Sequence, residues 1–255
     1  MTNARPGTLV LVPNTLDFGA EAGDLEQVLP LGVLRRAAAL RHWVAENAKT
    51  TRAFLKRVDA LVPLAQPLQS LLITELPRPR KGAPAGPPTD DLRPLLAPAL
   101  AGDDVGLISE AGMPAVADPG AALVEAAHRL GVPVLPLAGP NSLMLALAAS
   151  GLNGQSFAFV GYLPVEAAAR GARLKELEAL SRRSGQTQLV IETPYRNPTL
   201  LDALLATLSG TTRLSVSCGL TLADGWTRSM TVAQWRAAPV ALPDRLPAVF
   251  AFLAA

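Results

Sequence analysis

The chain has 255 residues and a formal net charge of +2, with 49% hydrophobic and only 17% charged residues. This balance excludes an intrinsically disordered chain, allows one large domain or two of ordinary size, and speaks against a dedicated nucleic-acid-binding arm. A single cysteine excludes an internal disulfide, and two histidines far apart in sequence, His42 and His128, give no basis for a metal site.

The first half of the chain alternates short apolar runs with helical stretches. It opens on MTNARPG, which has no apolar signal core, so a cytoplasmic protein is expected. Strands are predicted at 8–12, 40–46, 71–75, 105–109 and 132–137, and helices at 49–58, 93–100 and 120–130. This alternation predicts a parallel sheet with crossover helices, and the nearly continuous apolar character of the strands indicates that both faces are covered.

A proline-rich segment at 76–98 interrupts this pattern. It holds seven prolines and a basic cluster of Arg78, Arg80 and Lys81. The composition is typical of a mobile surface loop. Two interpretations are open for it: a tolerated insertion, or a lid that meets an acidic substrate.

The second half begins after a turn cluster, SGLNG at 150–154, which predicts domains at 1–150 and 151–255. The apolar window just before it, 132–152, is too interrupted by proline and glycine to span a bilayer, so no membrane contact is expected. Strands are predicted at 156–163, 187–195, 213–221, 226–232 and 247–254, and helices at 167–183 and 198–208. The last three strands lack long helices between them, which predicts a partly antiparallel sheet. The fold class is therefore two α/β domains, N-terminal mostly parallel and C-terminal mixed.

Three loops follow strands of the first domain and mix glycine or proline with polar residues: 13–19, 108–120 and 137–143. In an open α/β sheet, ligands bind outside the carboxyl ends of the strands. A carboxylate such as Glu110 or Asp118 accepts hydrogen bonds from ribose hydroxyls or an amino group, but it repels phosphate. The sequence contains neither G-x-G-x-x-G nor a P-loop, so the pattern favours a nucleoside with little phosphate charge. The alternative is an ordinary strand-to-helix turn.

The run from Gly106 to Pro164, which includes GLISEAGMPAVADPG and LAGPNSL, resembles the tetrapyrrole methylase superfamily of S-adenosylmethionine-dependent methyltransferases. The stretches GTLVLVP (7–13), VAENAKTTRAFLKRV (44–58) and IETPYRN (191–197) match in the same order. Within the superfamily, the likeness is to the branch that 2′-O-methylates a cytidine of small-subunit ribosomal RNA, or to a sister group of that branch. The resemblance covers nearly the whole chain.

This resemblance implies a homodimer of two-domain α/β chains, each holding S-adenosyl-L-methionine in the cleft between its domains. A mean hydropathy of +0.27 also favours an oligomer. The implied cofactor contacts are mostly through the backbone. They are Pro13, Ser109, Glu110, Ala111, Gly112, Val116, Ala117, Asp118, Pro140, Asn141 and Ser142 in the first part of the chain, and Leu163, Glu192, Thr193 and Thr221 in the second.

This sequence departs from the ribosomal RNA branch in four places. Glu110 stands where that branch usually has Asp, and Met113 where it has Thr. The first loop reads VPNTLDFG in place of Thr-Pro-Ile-Gly-Asn, and the stretch CGLTLADGWTRS (218–229) lacks the usual Lys and paired Glu. A different or narrower substrate is therefore compatible with the sequence.

The leading hypothesis is a methyltransferase that acts on a ribose of ribosomal RNA. Methylation of a tetrapyrrole or another small molecule is an alternative, and a non-catalytic S-adenosylmethionine-binding protein is a second one. Arg52, Arg78, Arg80 and Lys81 are the predicted substrate-binding residues, because RNA binding requires local phosphate contacts. A 2′-hydroxyl acceptor also needs a base or an orienting group, for which Glu46, Lys49, Arg52 and Glu192 are candidates. The sequence assigns the role of base to none of them.

Overall fold

A computed structural model describes residues 5–17, 24–77 and 92–255. The chain divides into two compact units, Met1–Pro140 and Asn141–Ala255. The sequence pattern placed the junction after residue 150, whereas the helix at 142–150 packs on strands of the second unit. Each unit contains one sheet of five described strands.

The sheet of the first unit is parallel throughout its described strands, in the order β3-β2-β4-β1-β5. Its strands are β1 (Leu9–Leu11), β2 (His42–Ala45), β3 (Leu72–Glu75), β4 (Val105–Ile108) and β5 (Val134–Pro136). Its helices are α1 (Leu31–Ala39), α2 (Ala48–Asp59), α3 (Ala97–Leu100) and α4 (Ala121–Arg129).

Alternating strand residues build one core on each face of this sheet. Val10 and Val12 pack in a cluster with residues of α1 and α2, whereas Leu9 and Leu11 pack with residues of α3 and α4. The prediction of helices on both faces is therefore confirmed. Trp43 of β2 pairs with Gly106 of β4, where a Cβ atom would lie 2.7 Å from the indole ring, so only glycine fits at that position.

Several local boundaries differ from the sequence predictions. Helix α1 was not predicted, and the helix predicted at 93–100 is a 3-10 turn at Arg93–Leu96 followed by the short α3. Prolines at 94 and 98 remove backbone donors from this segment, which accounts for its short, irregular helices. Arg78, Arg80 and Lys81 lie outside the described residues.

The second unit holds a mixed sheet in the order β6-β7-β10-β8-β9. Strands β6 and β7 are parallel, and β10 and β8 pair antiparallel with their neighbours, as predicted for this half. The strands are β6 (Phe157–Tyr162), β7 (Thr187–Ile191), β8 (Arg213–Cys218), β9 (Trp226–Thr231) and β10 (Ala248–Leu253). The helices are α5 (Ser142–Ser150), α6 (Ala167–Ser184), α7 (Asn197–Thr207) and α8 (Val232–Ala237).

Alternation along the central strand β10 again separates two cores. Phe250 and Phe252 belong to the larger cluster with residues of α6, α7 and α8, and Val249 and Ala251 belong to a smaller cluster with α5. No helix within the described ranges is long and apolar enough to cross a bilayer.

Candidate functional site

Two loops meet at the carboxyl edge of the first sheet: the β1 loop, which follows β1 and is described over residues 12–17, and the β4 loop, residues 109–120. These two strands are neighbours, and the chain leaves them in opposite directions: β1 leads to β2 beyond β4, and β4 leads to β5 beyond β1. This is the position where strand order reverses and open α/β sheets bind ligands. The Asn14 amide donates to the carbonyl of Gly112 at 2.8 Å, and the Gly112 amide donates to the carbonyl of Thr15 at 3.3 Å.

The Asn14 side chain completes the connection between these two loops. Its Nδ2 donates to the carbonyl oxygens of Ser109 (3.2 Å) and Glu110 (3.0 Å), and its Oδ1 accepts from the Thr15 amide (2.9 Å). The side chain is buried, so its hydrogen bonds are shielded from competing water. Asn14 thus fixes the start of the β4 loop from the β1 loop.

The β4 loop carries four residues in left-handed backbone conformations. Gly112 and Gly120 tolerate this, with φ of 65° and 129°. Ala115 and Ala117 adopt φ of 66° and 63°, which costs roughly 1–3 kcal/mol per non-glycine residue. Such strain is concentrated at binding sites, and here it turns successive peptide groups of the loop in directions that an extended chain does not offer.

Three carboxylates gather at this edge. Glu46 follows β2, and its Oε2 accepts a hydrogen bond from the Glu110 amide at 3.0 Å. Burial of Asp118, together with the charges of Glu46 and Glu110, raises the pKa of Asp118 from 3.8 to about 7. The cluster therefore repels anions, favours a cationic ligand, and leaves Asp118 partly protonated at neutral pH.

A buried hydroxyl lies at the end of β4. Ser109 is almost fully buried, and its Oγ has no hydrogen-bond partner within the described part of the chain. Unpaired buried polar atoms are uncommon in folded proteins, because each one loses its hydrogen bonds to water. The Ser109 hydroxyl is therefore available to a bound ligand.

A second polar network, which sequence reasoning missed, anchors the β1 loop to α2. Arg57 Nη2 lies 2.9 Å from Oδ2 of Asp17, whose side chain is buried, and Thr15 Oγ1 donates to Asp17 Oδ1 at 2.5 Å. The network continues through Asn14 to the β4 loop. Arg57 and Asp17 are 40 positions apart, so no short-range pattern reveals the pair.

Of the four predicted substrate-binding residues, the structure describes only Arg52. Arg52 Nη1 donates to the carbonyl of Ala48 at 3.3 Å, so its guanidinium lies along its own helix α2. The remaining predicted substrate-binding residues, Arg78, Arg80 and Lys81, lie outside the described ranges. In the part of the chain that is described, no group of three or more His, Cys, Asp or Glu is arranged to hold a metal ion.

In the second unit, most predicted cofactor contacts already have structural partners. Asn141 caps α5, and its Oδ1 accepts hydrogen bonds from the amides of Leu143 (3.0 Å) and Met144 (3.1 Å). The Leu163 side chain is buried in the core of this unit, so only its backbone is available. Thr221 has a left-handed φ of 71°, three residues beyond the end of β8.

Glu192 holds the turn that follows β7. Its Oε1 accepts from the amide (2.8 Å) and hydroxyl (3.2 Å) of Thr193, and its Oε2 lies 3.1 Å from Arg196 Nη2. The side chain is buried and both oxygens are engaged. Glu192 therefore stabilises this turn, and its oxygens are poorly placed to receive a proton from an acceptor.

Comparison with known proteins gives the fold and the family. The fold is similar to that of uroporphyrin-III-C-methyltransferase from Thermus thermophilus. That structure matches with a TM-score of 0.51 at 19% identity, over 96% of this chain and 91% of the other. Residues 31–234 match the family of Tetrapyrrole (Corrin/Porphyrin) Methylases. The chain is thus a two-unit α/β protein, and it belongs to the tetrapyrrole methylase family, as the sequence predicted.

Three relatives are each called Ribosomal RNA small subunit methyltransferase I. The Vibrio cholerae protein is 36% identical over 135 residues, 53% of this chain and 46% of the relative. The Pseudomonas aeruginosa protein is 43% identical over 103 residues (40% and 34%), and the Bacillus subtilis protein is 38% identical over 120 residues (47% and 39%). The chain spans less than half the length of these relatives.

Proposed function

We propose that this chain is an S-adenosyl-L-methionine-dependent methyltransferase that 2′-O-methylates a ribose in ribosomal RNA. The observation that carries the proposal is family membership across residues 31–234, a range that includes the whole β4 loop. The name shared by the three relatives supports ribosomal RNA as the acceptor.

The residues of the first unit fit this cofactor. Bound S-adenosylmethionine supplies an activated methyl group on a positively charged sulfonium. The carboxylates of Glu46, Glu110 and Asp118 favour a ligand that carries a sulfonium and an ammonium group, and they disfavour a phosphorylated one. The buried Ser109 hydroxyl offers a donor or an acceptor to the same ligand.

Each part of the β4 loop has a role in this proposal. The carbonyl oxygens from Ser109 to Gly112 and the backbone at Val116 and Ala117 form hydrogen bonds with the cofactor, because a carbonyl that already accepts one hydrogen bond can accept a second, and Asp118 contributes its carboxylate. Pro13 and Pro140 flank the loop, and the side chain of Leu16 lies 3.2 Å from where a Cβ on Gly112 would be. For the second unit, we propose cofactor contacts at Asn141, Ser142, Leu163, Glu192, Thr193 and Thr221, from the backbone where the side chain is engaged or buried.

The chain does little covalent chemistry in such a transfer. The methyl donor is already activated, so orienting the acceptor and excluding water supply most of the rate. We assign no catalytic base. Glu46 accepts from the Glu110 amide and Glu192 is fully engaged, so each has a structural function in the folded chain.

The experiment is isothermal titration calorimetry with S-adenosylmethionine, followed by transfer of a radiolabelled methyl group to small-subunit ribosomal RNA. We expect binding and incorporation into RNA, with the label on a ribose 2′-oxygen. Incorporation into a tetrapyrrole or another small molecule in place of RNA would assign the small-molecule alternative. Binding without transfer to any fraction of a cell extract would assign the non-catalytic alternative.

We also propose a homodimer and a cytoplasmic location. The composition supports the dimer through the mean hydropathy of +0.27, and ribosomal RNA as acceptor supports the location. Sedimentation at micromolar concentration tests the dimer, and a single species at 26.6 kDa would contradict it.

A further inference from the structure

Both tyrosines of this chain are exposed, although aromatic residues make up only 4% of it. Tyr162 is 59% exposed and Tyr195 is 71% exposed, whereas Trp43, Trp235 and Phe250 are almost fully buried. An exposed aromatic ring contributes little to folding, because most of its apolar surface stays in water. Most of the surface of both tyrosines is therefore accessible to a ligand.

The two tyrosines lie at the same edge of the second sheet, the one formed by the carboxyl ends of β6 and β7. Tyr162 is the last residue of β6, and Tyr195 lies in the 3-10 turn Pro194–Arg196 that follows β7. These strands are parallel neighbours, and Tyr162 is in register with Ile191 at the end of β7. Because parallel strands end at one edge, the two rings and the exposed Val165 belong to that edge.

The turn that carries Tyr195 is held by several hydrogen bonds. Glu192 binds Thr193 and Arg196 as described, and the Arg196 amide donates to the carbonyl of Thr193 at 2.9 Å. The next residue, Asn197, donates from Nδ2 to the carbonyl of Leu246 at 3.1 Å. A turn fixed in this way presents the ring with little further loss of conformational entropy on binding.

Arg170 places a positive charge close to the carboxyl end of β6. Arg170 of α6 donates from Nη1 to the carbonyl of Val165 at 2.8 Å, which fixes its guanidinium close to the end of β6. Arg173 and Lys175 follow on the same helix, and Nη1 of Arg173 lies 2.6 Å from Oε2 of Glu176. Aromatic faces beside a cation suit a ligand with flat rings and negative charge, which is the chemistry of an unpaired nucleotide.

We propose that Tyr195 and Tyr162 stack on unpaired bases of a single-stranded RNA segment while Arg170 contacts its phosphate. This inference rests on the proposed RNA acceptor and adds the residues that hold it. Stacking is tolerant of sequence, since every base has a π-face, so the two rings supply affinity and the choice of nucleotide is made elsewhere.

The test is fluorescence anisotropy with labelled single-stranded oligoribonucleotides and the full chain. We expect Tyr195→Ala to weaken RNA binding by about 5- to 150-fold, the range for loss of one stacked base. Tyr195→Phe keeps the ring and should bind within about twofold of the parent, whereas Tyr195→Leu, with apolar bulk but no ring, should behave like the alanine variant.

Salt dependence separates stacking from charge. Tyr195→Ala should leave the slope of log affinity against log salt unchanged, while Arg170→Ala should reduce it by about 0.7. Phe157→Ala is the matched control, because Phe157 is a partly exposed aromatic at the other end of β6 and should have no effect. Calorimetry with S-adenosylmethionine checks that each variant keeps the parent's cofactor affinity and is folded.

The outcomes of this test separate an error in the proposed RNA acceptor from an error in the stacking role. If the parent binds no RNA, the proposed acceptor and this inference are both overturned. If the parent binds RNA and Tyr195→Ala and Tyr195→Leu bind it equally well, only the stacking role is overturned. If these variants keep RNA affinity but shift the sedimentation of the parent to a smaller species, the edge contacts a second copy of the chain instead.

Discussion

Replacing Asp118 with Asn should stabilise the protein at neutral and alkaline pH in the absence of ligand. Burial, and then the charges of Glu46 and Glu110, raise the pKa of Asp118 from 3.8 to about 7. A carboxyl group with a raised folded-state pKa contributes stability below its unfolded pKa, and that stability is lost as pH rises through the folded pKa. For Asp118, the loss extends from about pH 4 to about pH 7.

The size of this stability change follows from the shift in the pKa of Asp118. The difference between about 7 and 3.8 is about three pKa units, which corresponds to about 4 kcal/mol at about 1.36 kcal/mol per unit. Asp118 is only half-buried, and water and salt screen part of its repulsion, so about 2 kcal/mol is the expected effect. The free energy of unfolding of Asp118→Asn should therefore exceed that of the parent by about 2 kcal/mol at pH 8, and the two should be equal at pH 4.

The assay is urea unfolding followed by circular dichroism at pH 4, 6 and 8 without cofactor. Calorimetry adds a second readout: affinity of the parent for S-adenosylmethionine should rise with pH by up to about tenfold per unit below pH 7, because the cation favours ionised Asp118. The asparagine variant should bind more weakly at pH 8 and lose most of this pH dependence. A stability difference that is the same at all three pH values would refute the carboxylate repulsion.

Three further predictions concern the loops and the basic cluster. Gly112→Val should abolish most cofactor affinity in calorimetry, while Gly131→Val, with a similar φ of 69° and open space around it, should only lose stability, by roughly 1–2 kcal/mol in urea unfolding. Equal affinity of the two would remove the β4 loop from the site. Asp17→Asn should weaken cofactor binding several-fold. Asp104→Asn breaks a comparable pair with Arg36 at the amino end of β1, and it should lower the melting temperature but leave cofactor affinity intact. Changing Arg78, Arg80 and Lys81 together to Ala should flatten the salt slope of RNA binding by up to about three, measured by anisotropy, and normal methylation by that variant at every salt concentration would indicate a tolerated insertion.

The sequence by itself determined most of the strands and helices and the position of the candidate binding loop. Apolar runs separated by helical stretches gave both sheets, because side-chain periodicity is set locally along the chain. The cap of α5 at Asn141 was predictable for the same reason, since a cap acts on amides two and three residues away. The glycines and carboxylates of residues 108–120 identified the β4 loop, although helix α1 and the irregular turns near Arg93 were missed.

Only the tertiary structure decided how those loops interact. Glu46 and Glu110 are 64 positions apart and Asn14 and Glu110 are 96 apart, yet the order β3-β2-β4-β1-β5 brings the ends of their strands together. The raised pKa of Asp118 follows from that arrangement, since burial and neighbouring charge do not exist in the extended chain. The left-handed conformations of Ala115 and Ala117 likewise depend on the surrounding fold, because alanine does not favour them locally.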